Sequence, residues 1–218
     1  MTPPTTIVIA DDHVLVREGL KMLLGAEPDL EVVADTGDGA AVEALVRKLL
    51  PGLLVLDLEL PGKSGIEVAA AIKADASLAA CKVLVLTGNL KAETVSRALA
   101  AGADGYVVKS EDADELLRGV RAVLAGHAYV SRQIAGAFAA GGGAVGAGRS
   151  ALAQITPREK EVLSLVARGY GNADIAGLLD ISVLTVRTHR QRLMEKLGLL
   201  NAAEITACAV KLGLYDPS

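Results

Sequence analysis

Four aliphatic segments in the first half of the chain each end at a polar residue that could do chemistry. The segments TTIVIA, LLVL, KVLVL and GYVV are followed by Asp11 with Asp12, by Asp57, by Thr87 and by Lys109, respectively. An uninterrupted aliphatic run is typical of a buried parallel strand, and ligands of open α/β sheets bind just beyond the carboxyl ends of such strands. We therefore expect three carboxylates, a hydroxyl and an ammonium group to meet in one crevice.

These side chains suit the transfer of a phosphoryl group to an aspartate. A carboxylate such as Asp57 can be a covalent phosphoryl acceptor, and the transfer needs mainly positioning and charge neutralisation. Asp11, Asp12 and Asp57 would repel one another unless a cation balanced them, and Mg²⁺ prefers such oxygen ligands. Lys109 can pair with one phosphoryl oxygen, while Thr87 can donate a hydrogen bond to another.

Each of these residues also has an ordinary structural explanation when it is taken alone. An aspartate at a strand end is most often a turn former or a helix cap. Thr87 fits a loop, and Lys109 fits an exposed strand end. The joint occurrence of all of them, in order along the chain, is what favours a site.

The elements that must position these residues follow from the hydrophobic pattern. Strands are predicted near 6–10, 31–34, 53–57, 82–87 and 105–108, and helices near 13–25, 39–49, 65–74, 91–101 and 112–124. Gly102 and Gly126 fall where helix C-caps are expected. The alternation predicts an α/β doubly wound domain with a five-stranded parallel sheet.

Composition narrows the class of protein. The chain has 218 residues, enough for two domains, and its 51% hydrophobic content argues against general disorder. Because no signal peptide and no membrane-spanning apolar run is evident, we expect a cytoplasmic protein without membrane contact. Cys81 and Cys208 fit free buried thiols. Of the net charge of −4, residues 1–127 carry −7, residues 128–151 carry +2 and residues 152–218 carry +1. The acidic front and the neutral-to-basic back suggest different partners for the two halves.

A segment of small residues separates the two halves. Residues 139–150, AAGGGAVGAGRS, cannot fill a core and are typical of a tether. The sequence Thr156-Pro157-Arg158-Glu159 then matches a capping box and predicts the start of a helix. Further helices fit 172–179, 183–197 and roughly 201–212. The tail is therefore predicted to be a four-helix unit with a central helix-turn-helix.

The helix predicted over 183–197 has the division of faces that a DNA-recognition helix needs. Its apolar side carries Val183, Val186, Leu193 and Leu197, and its opposite side carries Arg187, Thr188, Gln191 and Glu195, flanked by Arg190, Arg192 and Lys196. Arg187 could read guanine and Gln191 adenine in double-stranded DNA, while the flanking cations would contact phosphates. Charge alone would favour an ordinary solvated helix face over a DNA-binding one.

The motifs DDH, LDLELPGKSG, VLTG and GYVVKS resemble those of the receiver domain of two-component response regulators. The resemblance implies that a sensor histidine kinase phosphorylates Asp57. It also implies that Asp12 and Asp57 bind Mg²⁺ directly, Asp11 through water and Glu59 through its backbone carbonyl. Thr87 and Tyr106 would form the switch pair, in which the hydroxyl moves to the phosphoryl group as the aromatic ring turns inward. Leu60 stands where such receivers commonly have Met.

The segment ITPREKEVLSLVARGYGNADIAGLLDISVLTVRTHRQRLMEKLGLLN resembles the LuxR-type helix-turn-helix that ends response regulators of the NarL/FixJ type. His189 matches a histidine of that motif and would pack or contact a phosphate. Gly171 and Gly177 depart from a good helix, since each costs about 1 kcal/mol relative to Ala if interior. The expected divisions are a receiver over 5–125, a flexible linker over 126–151 and the helix-turn-helix domain over 152–217.

Together the resemblances imply a phosphorylation-controlled, DNA-binding transcriptional regulator that forms a homodimer on activation and is not an enzyme. One alternative is a phosphohydrolase with an aspartate nucleophile, but such enzymes carry a second Asp where this chain has Glu59. Another is a dimerising module that is never phosphorylated. Packed carboxylates without a use would only cost that module stability.

Overall fold

The N-terminal unit is built on a parallel sheet in the computed structural model, which describes residues 3–140, 155–199 and 201–215. The strands are β1 (Thr5–Ala10), β2 (Leu30–Thr36), β3 (Leu53–Asp57), β4 (Lys82–Thr87), β5 (Gly105–Val108) and β6 (Tyr129–Val130). Their order is β2-β1-β3-β4-β5-β6, with all neighbours parallel. The direction of winding reverses between β1 and β3, which is where such sheets bind ligands. The doubly wound α/β class is confirmed, with six strands instead of five.

Helices cover both faces of the sheet, since alternate residues of each strand point to opposite sides. They are α1 (Val14–Gly25), α2 (Gly39–Leu49), α3 (Gly65–Ala74), α4 (Ala92–Ala100) and α5 (Ala113–Leu124). Ile7 and Ile9 of β1 belong to an apolar cluster with α1 and α5. Val8 and Ala10 belong to a second cluster with α2, α3 and α4. Burial on both faces explains why these strands are continuous aliphatic runs.

The segment 126–151, predicted as a flexible linker, begins with regular structure. Strand β6 pairs with β5, and the helix α6 (Arg132–Ala140) follows it with Ile134 and Phe138 buried. A strand of two residues has no readable alternation, and the small residues of α6 conceal its periodicity. The prediction of a linker was therefore wrong for β6 and α6. Residues 141–154, which contain most of the predicted tether, lie outside the described residues.

Four helices make up the C-terminal unit over residues 155–199 and 201–215, as predicted. They are α7 (Pro157–Ala167), α8 (Asn172–Leu179), α9 (Val183–Leu197) and α10 (Ala202–Lys211). Thr156 and Glu159 form the expected capping box at the start of α7. Helix α8 begins after Gly171, and Asp180 ends it in a left-handed conformation. The α8–α9 pair is a helix-turn-helix with a turn of three residues.

The two units contact each other through α10. This helix packs against α6, β6 and α4, and one apolar cluster contains residues of both units. Asn201, the N-cap of α10, donates a hydrogen bond from Nδ2 to the carbonyl of Leu99 over 2.8 Å. Within the described residues, no helix is both long enough and apolar enough to cross a bilayer.

Candidate functional site

Parallel strands bring the predicted reactive residues together at the carboxyl edge of the sheet. Asp57 ends β3 and Asp11 directly follows β1, and both side chains are buried at 2% exposure. Lys109, after β5, places Nζ 2.7 Å from Asp57 Oδ2 and 2.6 Å from Asp11 Oδ2. Two carboxylates from adjacent strands therefore share one ammonium group.

Asp12 and His13 form the rim of this cluster. The His13 backbone N–H donates to Asp11 Oδ1 over 2.9 Å, and His13 Nδ1 lies 2.6 Å from Asp12 Oδ1. Asp12 is partly exposed, with 39% of its side chain accessible. The sequence patterns did not single out His13, although its position directly after two aspartates was a signal.

The donor set fits a hard divalent cation such as Mg²⁺. One ligand atom from each of Asp11, Asp12, His13 and Asp57 can be chosen so that all lie within 4.8 Å of one another. Asp11 Oδ2 is buried, and its neighbour of opposite charge is the Lys109 ammonium group at 2.6 Å. Three carboxylates supply the oxygen ligands that Mg²⁺ prefers.

Burial and the Lys109 ammonium group have opposite effects on the pKa of Asp57. Burial raises the pKa of Asp57, and the hydrogen bond from Lys109 offsets only part of that rise. Burial alone would lower the pKa of Lys109, but its bonds to Asp11 and Asp57 outweigh that effect and raise the pKa. Lys109 therefore stays charged. A carboxylate of raised pKa is a better nucleophile than an ordinary one, which suits Asp57 to attack on phosphorus.

The loop after β3 holds Asp57 by close backbone packing. A Cβ at Gly65 would lie 1.9 Å from the carbonyl oxygen of Asp57, so only glycine fits at this position. The Gly65 N–H donates to the carbonyl of Leu58 over 3.0 Å. At the mouth of the site, Asn89 Nδ2 donates to Glu59 Oε1 over 2.9 Å and joins the loops after β3 and β4.

Thr87 and Tyr106 are both buried, at 1% exposure. Thr87 Oγ1 accepts a hydrogen bond from the N–H of Asn89 over 3.0 Å. Tyr106 points inward, where its hydroxyl donates to the carbonyl of Ala98 and accepts from the N–H of Ala103. Burial raises the pKa of Tyr106, so the phenol stays neutral. The aromatic ring is thereby fixed against the last turn of α4.

The second candidate site is the outer face of α9. Arg187, Gln191 and Arg192 are exposed on it, and Thr188 and His189 are partly exposed. Thr188 donates to the carbonyl of its own helix at Leu184, over 3.0 Å, which leaves its methyl group and hydroxyl at the surface. The exposed residues include two guanidinium groups and an amide, which can bind phosphates and base edges.

Two cations that the sequence places beside this face are engaged within the protein. Arg190 donates from an Nη atom to Asn172 Oδ1 over 2.7 Å, and burial lowers its pKa. Lys196 Nζ contacts both carboxylate oxygens of Glu159 at 2.8 Å. These contacts tie α9 to α8 and to α7, so both side chains hold the helix in place.

Two protein-family models match the chain. The response regulator receiver domain matches residues 7–121, and the bacterial regulatory proteins of the luxR family match residues 153–209. The first covers the α/β unit with its acidic cluster, and the second covers the helix-turn-helix.

Known proteins of similar length share both parts. The oxygen regulatory protein NreC of Staphylococcus epidermidis is 36% identical over 217 residues, covering 96% of this chain and 99% of that protein. A structure of two RcsB dimers bound to two parallel DNAs matches with a TM-score of 0.59 and 27% identity, over 93% of this chain and 96% of that one. A LuxR-family two-component response regulator from Aurantimonas sp. matches with a TM-score of 0.58 and 37% identity, over 62% of this chain and 96% of that one.

Proposed function

The chain belongs to the two-component response regulators with a LuxR-type DNA-binding domain, and from this premise we propose that phosphorylation of Asp57 controls its binding to DNA. The protein is a phosphorylation-dependent, DNA-binding transcriptional regulator and not an enzyme. The observation that carries the choice of residue is the buried ion pair of Asp57 with Lys109 at the end of β3. In that pair the carboxylate is desolvated, charged and next to a cation that can bind the incoming phosphoryl group.

The chemistry of the site follows from its charges. An oxygen of Asp57 forms a bond to phosphorus while the bond between phosphorus and the donor breaks. Mg²⁺, which receivers bind at an acidic pocket, would be held by Asp11, Asp12, Asp57 and the backbone carbonyl of Glu59, and when bound it neutralises charge on the phosphoryl oxygens. Lys109 can follow the transferred group, because its Nζ already lies 2.7 Å from the accepting carboxylate. Thr87 would supply a hydrogen bond to a phosphoryl oxygen.

The contact between the two units offers a route from Asp57 to the DNA-binding domain. Tyr106 and Asn201 donate hydrogen bonds to neighbouring carbonyls of α4, those of Ala98 and Leu99. We propose that Thr87 and Tyr106 form the switch pair and that the last turn of α4 transmits its movement to α10. Phosphorylation would then bias a two-state element that both units share.

The proposed DNA contacts lie on α9. Arg187, Thr188 and Gln191 would read base edges, whereas Arg192 and His189 would contact phosphates. Arg190 and Lys196 were expected to contact phosphates too, and their internal bonds to Asn172 and Glu159 support an additional role in fixing the helix. A sensor histidine kinase as phosphoryl donor and a homodimer as the activated form complete the proposal, together with the limits 5–125 for the receiver and 152–217 for the helix-turn-helix domain.

The test compares phosphorylation and DNA binding in the same preparation. The full chain is treated with acetyl phosphate and Mg²⁺, and its binding is measured to duplexes selected from a random library by the treated wild type. Asp57→Asn is expected to remove both the phosphoryl group and the gain in affinity, while the exposed Asp29→Asn leaves both unchanged. An Asp57→Asn variant that still takes up one phosphoryl group and gains affinity would refute the assignment.

A further inference from the structure

Arg17 lies on the first turn of α1, next to the backbone of Asp11 and Asp12. We propose that Arg17 is a positioning residue that holds the Asp11–Asp12 turn in the geometry that binds the divalent cation. This inference rests on the proposed function of the acidic cluster. It differs from that proposal in naming a side chain that touches neither the cation nor the phosphoryl group.

The contacts of Arg17 are directed at the backbone of the two aspartates. One Nη atom donates to the carbonyl of Asp11 over 2.7 Å and approaches the carbonyl of Asp12 at 3.3 Å. Nε donates to Asp35 Oδ2 over 2.8 Å. The planar guanidinium has its donors in a fixed fork, so binding on one edge constrains the other. Arg17 therefore links the end of β1 to the end of β2.

Asp35, the carboxylate that binds Arg17, is held by a second cation, Lys21. Asp35 accepts from Lys21 Nζ at 2.7 Å as well as from Arg17, and the pKa of Asp35 is lowered, first by the bond from Lys21. The charge of the guanidinium is thus balanced by Asp35 and not by the carboxylates of the cluster. Arg17 can fix the backbone without competing for the oxygens that would bind a cation.

The space around the guanidinium is also restricted. A Cβ at Gly37 would lie 3.1 Å from an Nη atom of Arg17, tighter than ordinary van der Waals contact. Only 16% of the Arg17 side chain is exposed. The two carbonyls lie where β1 has ended and its ladder no longer orders the chain. The Asp11 N–H bonds to the carbonyl of Thr36 and the His13 N–H bonds to Asp11 Oδ1, and Arg17 adds the side-chain donor that reaches both carbonyls of the turn.

The experiment uses the full chain and separates cation affinity from the rate of the chemical step. Phosphorylation by acetyl phosphate is followed against Mg²⁺ concentration for Arg17→Lys and Arg17→Gln, and Mg²⁺ binding is measured by calorimetry. The matched control is Arg121→Gln, because Arg121 is likewise an ion-paired arginine of a surface helix, but its partners Glu27 and Asp29 lie at the opposite end of the sheet. Urea unfolding checks that each variant is folded.

We expect Arg17→Gln to raise the half-saturating Mg²⁺ concentration about 10- to 100-fold, as loss of groups that orient metal ligands does, while the rate at saturating Mg²⁺ stays near wild type. Arg17→Lys should recover part of the affinity, because lysine can reach one partner but lacks the fork. Arg121→Gln should leave the half-saturating concentration unchanged. Equal Mg²⁺ dependence of wild type and Arg17→Gln, or an equal change in Arg121→Gln, overturns the proposal.

A second variant decides the matter if the Arg17 variants do not fold. Gly37→Ala retains Arg17 but requires its guanidinium to shift by a few tenths of an ångström, so it is expected to raise the half-saturating Mg²⁺ concentration in the same direction by a smaller factor. An unchanged value would count against positioning by Arg17. Failure of the proposed function gives a different result: wild type itself would then bind no Mg²⁺ or take up no phosphoryl group. If wild type responds to Mg²⁺ and the Arg17 and Gly37 variants respond identically, only the role of Arg17 is wrong.

Discussion

Replacing Glu159 by glutamine should loosen the recognition helix without unfolding α7. The Glu159 carboxylate makes two contacts. It accepts a hydrogen bond from the backbone N–H of Thr156 in the capping box, over 2.8 Å, and it forms an ion pair with Lys196 of α9. Glutamine can keep the first, since Glu and Gln both serve at this position of a capping box. It cannot keep the charge that attracts Lys196. The substitution therefore isolates the link between α7 and α9.

The size of the effect follows from burial. The Glu159 side chain is 3% exposed, and Lys196 Nζ lies 2.8 Å from both of its oxygens. Hydrogen bonds to charged groups contribute about 1.5–3 kcal/mol, and Lys196, at 33% exposure, can recover some hydration when released. We expect a loss of about 1.5–3 kcal/mol, equivalent to amide exchange in α9 that is roughly 10- to 150-fold faster.

The assay is native-state hydrogen exchange of α7 and α9 peptides, with Glu161→Gln as the matched control. Glu161 lies on the same helix, but its side chain is 53% exposed and its partner Arg158 is a neighbour three residues away. Pairs of this kind contribute about 0–0.5 kcal/mol. Exchange in α9 that Glu159→Gln and Glu161→Gln alter equally, or not at all, would show that the ion pair does not hold the helix.

The same pair predicts a pH dependence with a definite sign. Burial raises the pKa of Glu159, but the bonds from Lys196 and Thr156 outweigh it, so the folded pKa lies below the ordinary value. A lowered carboxyl pKa stabilises the folded state above the unfolded pKa, and that stabilisation is lost as the pH falls through the folded pKa. The difference in α9 exchange between wild type and Glu159→Gln should therefore be largest near neutral pH and shrink below about pH 4.5.

Three further outcomes are expected. Gly65→Ala should abolish or strongly slow phosphorylation of the chain by acetyl phosphate, because its Cβ would lie 1.9 Å from the carbonyl oxygen of Asp57. Gly88→Ala, whose Cβ would have no neighbour within 4 Å, should be phosphorylated at the wild-type rate. Equal rates in the two variants would contradict the close packing of Gly65 against Asp57. Cys81, whose pKa burial raises to about 11, and the buried Cys208 should resist alkylation at pH 8 until urea is added, as mass spectrometry can show; rapid native labelling would contradict their burial. Asn201→Asp keeps a good N-cap but loses the donor to α4, so exchange in the last turn of α4 should accelerate about two- to tenfold; unchanged exchange there would mean that this bond does not hold the units together.

The arrangement of the acidic cluster could be predicted because parallel strands impose it. Asp11, Asp57 and Lys109 each follow an aliphatic run, and the bounds predicted for β3, β4 and β5 coincide with those of the structure. The carboxyl ends of parallel strands lie at the same edge of a sheet, so the meeting of these three side chains could be predicted without knowledge of their contacts. The same reasoning could not find β6, since two residues carry no pattern and its pairing with β5 depends on tertiary contact.

The hydrogen-bond partners of individual side chains could not be predicted from the sequence pattern. Arg17 looks like an ordinary polar residue of an amphipathic helix, and only its bonds to Asp35 and to the Asp11 carbonyl distinguish it. Arg190 and Lys196 illustrate the opposite case. Their charge suggests phosphate contacts, yet Asn172 and Glu159 hold them within the fold. Periodicity gives the face on which a residue lies but not the partner that its side chain meets.

The last turn of α4 is contacted by side chains of both units and is therefore a place where one unit can affect the other. The carbonyls of Ala98 and Leu99 each accept one backbone N–H, and each uses its remaining capacity for a side chain, Tyr106 from the α/β unit and Asn201 from the helical unit. A buried hydroxyl that leaves its acceptor costs about 1–3 kcal/mol unless it gains another partner. Any movement of Tyr106 must therefore be compensated nearby, and the adjacent bond to Asn201 is the contact that would register it first. The proposed coupling needs no long path, because Tyr106 and Asn201 of the helical unit bond to the carbonyls of consecutive residues of one helix.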